Sequence, residues 1–302
     1  MAEGQSSQVC TGTHVILLLT PRLPVLSIPS LFDVSGKVAV VTGGGSGIGK
    51  MIASAFVQNG AKVYIAARKE QQLKEVCDQL NEQGPGTCQY VVADLSSKAG
   101  CDKVAAFVKE REPKVHILVN NSGTSWGAAY ENFPEKEGWD RILALNVKSI
   151  FYFEIRLTDV LAKDATNEDP GRVINISSIA GLTPTPYDHR VSTDTNGLWS
   201  YNTSKAAVNH LTTQLASTLA SRFITVNAIL PGIFPSKMTA FGLKRVGEGS
   251  IAEENPMRRL GTSRDMAGVV LFLASSAGSY VTGAHIVVDG GSVISTNMKA
   301  KL

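Results

Sequence analysis

Short apolar runs recur along the chain, each followed by a stretch in which apolar residues return every three or four positions. The runs fall at residues 37–41, 62–66, 89–93, 115–119, 172–176, 225–229 and 285–289. Their brevity and their valine and isoleucine content predict buried strands. After the first run, Met51, Ile52, Ala55 and Phe56 share one helical face that ends near Gly60. The same spacing predicts helices over 69–82, 98–110, 139–162 and 201–221. Seven strands alternating with helices predict an α/β fold: one domain with a doubly wound, parallel, seven-stranded sheet and helices on both faces. Two stretches break the alternation. Residues 182–199 carry Pro184, Pro186, Asn196 and Gly197, and residues 232–262 carry Gly232, Pro235, Gly242, Gly247, Gly249 and Pro256. Long irregular segments of this kind read as binding loops or lids. No repeat or linker divides 31–295.

Composition narrows the classes. The 302 residues are 43% hydrophobic and 18% charged, with a net charge of +3. That is ordinary for a globular protein and too weakly basic to argue for nucleic acid or a membrane surface. Cys10, Cys77, Cys88 and Cys101 show neither metal spacing nor a disulfide framework, so reduced thiols, no metal and an intracellular setting are expected. Residues 1–30 read as a loosely attached, poorly ordered extension. Their apolar run Val15-Ile16-Leu17-Leu18-Leu19 is too short to span a bilayer. The terminal Ala300-Lys301-Leu302 is similar to the Ser-Lys-Leu peroxisomal address, which leaves cytoplasmic and peroxisomal locations open, with 296–302 as a tail.

Candidate chemistry gathers at the carboxyl ends of the strands. Thr42-Gly43-Gly44-Gly45-Ser46-Gly47-Ile48-Gly49 lies between the first strand and the first helix. Glycines there let backbone approach a pyrophosphate, whose charge the helix N-terminus stabilises. After the second strand stands Ala67-Arg68-Lys69, with no acid before Glu70. A basic residue there suits the 2′-phosphate of NADP(H) better than the ribose hydroxyls of NAD(H). Asp94-Leu95 ends the third strand, where Asp94 would accept from an adenine amino group or N-cap the next helix. Asn120-Asn121-Ser122-Gly123 ends the fourth, as a cofactor floor or a polar turn. Ser177-Ser178 follows the fifth, where Ser178 is either a donor to a carbonyl oxygen or a turn cap. Tyr201 and Lys205 lie four apart, which stacks phenol and ammonium on one helix face. A cation there would lower a phenol's pKa and make the pair a proton-transfer device; the plainer reading is a solvated helix face. A hydrolase triad is not supported, because there is no Gly-x-Ser-x-Gly elbow and no evident role for the five histidines.

Thr42-Gly43-x-x-x-Gly47-x-Gly49, Asp94, Asn120-Asn121-Ser122-Gly123, Asn146, Ser178, Tyr201-x-x-x-Lys205 and Pro231-Gly232, in this order, resemble the short-chain dehydrogenase/reductase family over residues 31–295. The resemblance implies a Rossmann fold and specific roles. Tyr201 would protonate the alkoxide during carbonyl reduction. Lys205 would lower the pKa of Tyr201 and bind the nicotinamide ribose, Ser178 would polarise the carbonyl, and Asn146 would hold a water linking Lys205 to solvent. Cofactor contacts would come from Gly43, Ser46, Gly47, Ile48, Gly49, Arg68, Asp94, Leu95, Asn121, Gly123, Tyr201, Lys205, Pro231, Gly232 and Ile233. Ser122 stands where the family usually has alanine. The interval from Ser178 to Tyr201 is longer than in many members, which enlarges the loop over the site. The segments at 121–128 and 231–239 resemble the 3-oxoacyl reductase branch associated with rhamnolipid synthesis. They point to a β-keto thioester or another secondary-metabolite carbonyl. Trp126 and Phe234 would form an apolar wall or belong to the core. The family resemblance also implies a homodimer or homotetramer paired through helices 139–162 and 201–221. The remaining alternatives are an alcohol dehydrogenase working oxidatively and a non-catalytic nucleotide-binding regulator.

Overall fold

The apolar runs become seven strands in a computed structural model that describes residues 25–193 and 195–295. They are β1 (Val38–Thr42), β2 (Lys62–Ala67), β3 (Thr87–Val92), β4 (Ile117–Asn120), β5 (Gly171–Ile176), β6 (Ile224–Pro231) and β7 (His285–Val288). All pair in parallel, in the order β3-β2-β1-β4-β5-β6-β7. The helices that matter here are α1 (Gly47–Gln58), α2 (Glu70–Gln83), α3 (Lys98–Lys109), α4 (Ser149–Ala162), α5 (Trp199–Leu219), α6 (Ala240–Val246), α7 (Glu248–Glu253) and α8 (Ser263–Ala274).

Successive strand residues point to opposite faces, and each face has its own core. Ala39, Val41, Val63 and Ile65 pack with Ile52 and Phe56 of α1, Leu73 and Leu80 of α2, and Met266 and Val270 of α8. Val38, Val40, Tyr64 and Leu118 pack with Val104 of α3, Phe153 and Leu157 of α4, and Val208 and Leu215 of α5. Because helices cover both faces, β1, β4, β5 and β6 are buried along their whole length. That is why they read as continuous apolar runs rather than alternating ones.

Two expectations change. The helix anticipated over 139–162 is not one regular α-helix. Helical structure begins at Glu135 and contains π segments at Glu135–Asp140 and Ala144–Lys148 before α4 proper. The anticipated loose extension is partly ordered. Residues Ile28–Leu31 form a helical turn, and the Ser276 hydroxyl donates to the Ser30 and Leu31 carbonyls at 3.2 and 2.9 Å. Residues 1–24 and the Ala300-Lys301-Leu302 tripeptide lie outside the described residues. No helix among the described residues is long and apolar enough to cross a membrane.

Candidate active site

Strand order reverses between β1 and β4, since β1 carries β2 on one edge and β4 on the other. Ligands of open α/β sheets lie at such a switch point, outside the carboxyl ends of the strands. A cleft of about 490 Å³ opens there. It is lined by Gly43, Ser46, Gly47, Ile48, Arg68, Asp94, Leu95, Asn121, Gly123, Tyr201 and Lys205, all named from the sequence.

The turn after β1 needs its glycines. Gly43 has φ +67° and Gly47 has φ +52°, a region that L side chains avoid. A Cβ on Gly43 would stand 2.8 Å from Asn121 Nδ2, and one on Gly47 would stand 3.0 Å from the Ser236 Cβ. Gly49 serves differently. It does not line the cleft, and its Cβ would sit 2.4 Å from both Asn121 Nδ2 and the Gly43 carbonyl, so it lets α1 lie close to the sheet. Thr42 Oγ1 accepts from the Asn121 and Ser122 amides, each at 2.9 Å, while Asn121 Nδ2 donates to the Thr42 carbonyl at 2.9 Å. These bonds tie the ends of β1 and β4 into one floor. Ser46 places no side-chain hydrogen bond on the first amides of α1, and no acid lies in that first turn. Those amides and the helix dipole are therefore available to an anion in the cleft.

Beside this turn the side chains of Arg68 and Lys69 are exposed and have no hydrogen-bond or ion-pair partner among the described residues. Gln72 closes the same corner by donating to the Gly45 carbonyl at 2.6 Å. Of the two readings of Asp94, the helix cap is excluded. Ser97 caps α3 by accepting from Gly100 at 3.1 Å, whereas Asp94 accepts from the Ser96 amide and hydroxyl at 3.0 and 2.8 Å. Burial opposes ionisation of Asp94, but those Ser96 donors, with Arg68 and Arg141 nearby, hold its carboxyl below the usual range.

The candidate catalytic side chains follow β5 or lie on α5 and in the π segment. Ser178 both caps a turn and faces Tyr201. Its Oγ accepts from Ala180 at 3.1 Å, at the start of the turn Ile179–Gly181. That turn packs tightly on α5, for a Cβ on Gly181 would stand 2.7 Å from the Lys205 carbonyl carbon. Ser177 donates to the Lys205 carbonyl at 3.0 Å, and Lys205 Nζ donates to the Ile176 carbonyl at 2.8 Å. Burial lowers Lys205 to about 8. Burial raises Tyr201, and the Ser178 hydroxyl draws it partly back. The expectation that Lys205 lowers the Tyr201 pKa is therefore not met by these side chains alone. The ammonium is committed to Ile176 and stands 5.7 Å from the Tyr201 ring centre.

Asn146 lies behind the cleft wall, 1% exposed, inside the π segment Ala144–Lys148. Its Oδ1 accepts from the Thr124 amide, and its Nδ2 donates to the Thr124 carbonyl and to Ser204 Oγ, all at 2.9 Å. Ser204 in turn donates to the Tyr201 carbonyl at 2.7 Å. Asn146 thus straps the β4 floor to the first turn of α5. Both amide hydrogens are used, so the water contact expected of this residue has only its remaining acceptor positions.

Pro231, Gly232 and Ile233 are not among the lining residues. Ile233 borders a separate cavity with Phe234, Arg259 and Asp289. Phe234 is 2% exposed and belongs to the core, so the apolar-wall reading fails for it. Gln72, Thr124, Leu145 and Ser236-Lys237-Met238 line the cleft without a role having been assigned to them from the sequence. The last three sit in the irregular stretch 232–262, which was the available signal. The two irregular stretches dock on each other. Arg245 donates to the His189 and Ser192 carbonyls, each at 2.7 Å, and a Cβ on Gly242 would stand 1.6 Å from the Arg190 carbonyl. A bridge between Ala128 and Gly197 pins the first stretch beside the β4 floor. Three of the four described histidines have other neighbours: His116 with Val38, His189 with Glu254, and His285 with the Asn209 carbonyl.

Known proteins are similar to this chain over most of its length. A family model described as enoyl-(acyl carrier protein) reductase matches residues 43–293. A rhamnolipid-biosynthesis 3-oxoacyl-[acyl-carrier-protein] reductase of Pseudomonas aeruginosa is 40% identical over 265 residues, covering 86% of this chain and 97% of that one. An NAD-dependent glycerol dehydrogenase of Listeria innocua is 33% identical over 267 residues, covering 87% of this chain and 96% of that protein. Among solved structures, the Pseudomonas aeruginosa RhlG/NADP active-site complex superposes with a TM-score of 0.80 at 39% identity, covering 87% of this chain and 98% of that one.

Proposed function

Since the chain belongs to the short-chain dehydrogenase/reductase family and is an oxidoreductase of that family, we propose that it uses NADP(H) to reduce a ketone to a secondary alcohol. The ketone is a 3-oxoacyl thioester or a related secondary-metabolite carbonyl. The observation that carries the reading is that the glycine turn and the Tyr201–Lys205 pair line one cleft. The cleft fits the cofactor in three ways: positive-φ glycines where a Cβ would collide, uncapped first-turn amides of α1, and unpaired Arg68 and Lys69 at the end of β2.

The bound cofactor supplies a hydride to the carbonyl carbon. The chain's own residues do the rest. Ser178 donates to the carbonyl oxygen and holds it toward Tyr201. Tyr201 gives its phenolic proton to that oxygen as negative charge develops there. Lys205 keeps a cation beneath the phenol and offers its remaining hydrogens to ribose hydroxyls. Asn146, through Ser204, fixes the turn that carries Tyr201. The exposed Phe151 and Ile155 on α4 support the further reading that the protein works as a homo-oligomer paired through that helix.

The test follows nicotinamide absorbance with NADPH and then NADH against 3-oxoacyl thioesters and cyclic ketones. NADPH-dependent reduction of at least one β-keto thioester is expected. Oxidation of secondary alcohols with no ketone reduced would overturn the reading. Arg68→Ala is expected to raise KM for NADPH roughly tenfold to a hundredfold, the worth of one charge-assisted hydrogen bond, and to leave KM for NADH unchanged. Equal loss with both cofactors would show that Arg68 does not meet the 2′-phosphate. Reduction should also slow as pH rises through about 8, where Lys205 loses its proton. A pH–rate profile flat from 7 to 9 would contradict that role.

A further inference from the structure

Two cysteines outside the cleft face each other with no assigned purpose. Cys77 is in the middle of α2 and Cys88 is on β3, the outermost strand on that side of the sheet. Both are 4% exposed, and their sulfurs are 3.1 Å apart. A disulfide has about 2.05 Å between sulfurs, so the two must approach by about 1 Å more. The backbone is already held in register for it. Asn81, one helical turn after Cys77, accepts from the Cys88 amide through Oδ1 at 2.6 Å and donates through Nδ2 to the Cys88 carbonyl at 3.1 Å. These two bonds also satisfy backbone groups that an edge strand would leave open. Cys88 therefore cannot slide along α2 away from Cys77.

We propose that Cys77 and Cys88 form a dithiol site that a small hydroperoxide closes to an intramolecular disulfide. One thiol, as thiolate, attacks the peroxide. An S–O bond forms, the O–O bond breaks, and the departing oxygen leaves as water or an alcohol. The second sulfur then attacks the resulting sulfenic acid. The S–S bond forms, the S–O bond breaks, and the oxygen leaves as water with the second thiol's proton. Two sulfurs lose two electrons in total, and the peroxide gains two. The facing Cys77 sulfur and burial both push the Cys88 thiol upward. The reaction is accordingly slow while both sulfurs stay buried as thiols.

The two linked elements carry the adenosine end of the cleft. Arg68 and Lys69 precede α2, and Gln72 lies in its first turn. Asp94 and Leu95 follow β3. Tyr201 and Lys205 come from α5, on the other side of the switch point. The bond would tie α2 to β3 without reaching the reacting groups.

The experiment treats the full-length protein with hydrogen peroxide, alkylates free thiols, and digests with trypsin. Lys74 and Lys98 are consecutive cleavage sites, so both cysteines lie in one peptide, residues 75–98. That peptide is expected to lack two hydrogens and to take up no alkylating reagent. The melting temperature should rise by several degrees, because the cross-link restricts the unfolded chain, and dithiothreitol should reverse both changes. Cys77→Ser and Cys77→Ala should each abolish the mass change and the thermal shift while keeping turnover. Three results would overturn the proposal: a peptide 75–98 that stays alkylatable while Cys10 or Cys101 reacts, sulfinic acid at both positions, or a closed bond that leaves the melting temperature where it was. Apart from the turnover of the variants, none of these readouts depends on the carbonyl-reductase reading.

Discussion

Tyr201→Phe is expected to lower turnover about a hundredfold to ten-thousandfold, the usual contribution of a placed general acid, while leaving cofactor binding intact. The substitution removes one oxygen and keeps the ring that packs against Lys205. In the protein alone, burial holds Tyr201 in its neutral, proton-bearing form. That is the form a ketone reduction consumes. Lys205 is positively charged below about 8, but its ammonium is committed to the Ile176 carbonyl and stands 5.7 Å from the ring centre, so burial decides the resting state of Tyr201. The measurement is kcat with NADPH and a reducible ketone, together with cofactor affinity by fluorescence titration. Turnover within tenfold of the parent would remove Tyr201 from the chemistry. A parallel loss of cofactor affinity would instead mean that the phenol anchors the ribose.

Glu154→Leu is expected to stabilise the fold, and by more as the pH rises. Glu154 lies on α4 at 1% exposure, and neither carboxylate oxygen has a hydrogen-bond partner among the described residues. Burial pushes its pKa up to about 8. The folded chain therefore keeps a proton that the unfolded chain releases near pH 4.5. A raised folded pKa means that stability is fully present below about 4.5 and is lost as the pH climbs through about 8. At pH 7 the loss is on the order of 3 kcal/mol, from about 2.5 pH units at 1.36 kcal/mol each. Leucine abolishes the titration and fills similar space with apolar atoms. Melting temperatures of parent and variant should differ little at pH 5 and by several degrees at pH 8. A difference that does not grow with pH would show that Glu154 is paired when folded.

What could be read from the sequence depended on whether a feature was local. The strands stood out because helices cover both sheet faces, so β1 and β6 are apolar at nearly every position. Gly43, Gly47, Tyr201 and Lys205 could be placed because a strand–turn–helix and a four-residue helical interval each fix geometry over a few residues. Asn146 was named, but the π segment around it was not, since no local propensity marks the point where one amide grips Thr124 and Ser204. Gln72 escaped because its contact with Gly45 spans two elements. Phe234 could not be assigned because an aromatic after a Pro-Gly pair turns inward or outward according to what faces it, here α8 and Gly261. The direction of the Tyr201 shift also required the tertiary structure, because burial depends on the whole fold and the helical spacing reports only Lys205.

The switch point has a cost during synthesis. β1 ends at Thr42, and its partner on the far edge, β4, begins at Ile117, so 117 − 42 = 75 residues separate them. At roughly 5–20 residues per second, a ribosome takes about 4–15 s to supply that partner. During that interval, as β2 and then β3 join it, β1 presents an open parallel edge at Ala39–Val41 with nothing to pair it. Such edges template association with other chains. The crossover that opens the crevice therefore also makes the nascent chain a client for chaperones, and expression yield should depend on them more than the stability of the finished fold would suggest.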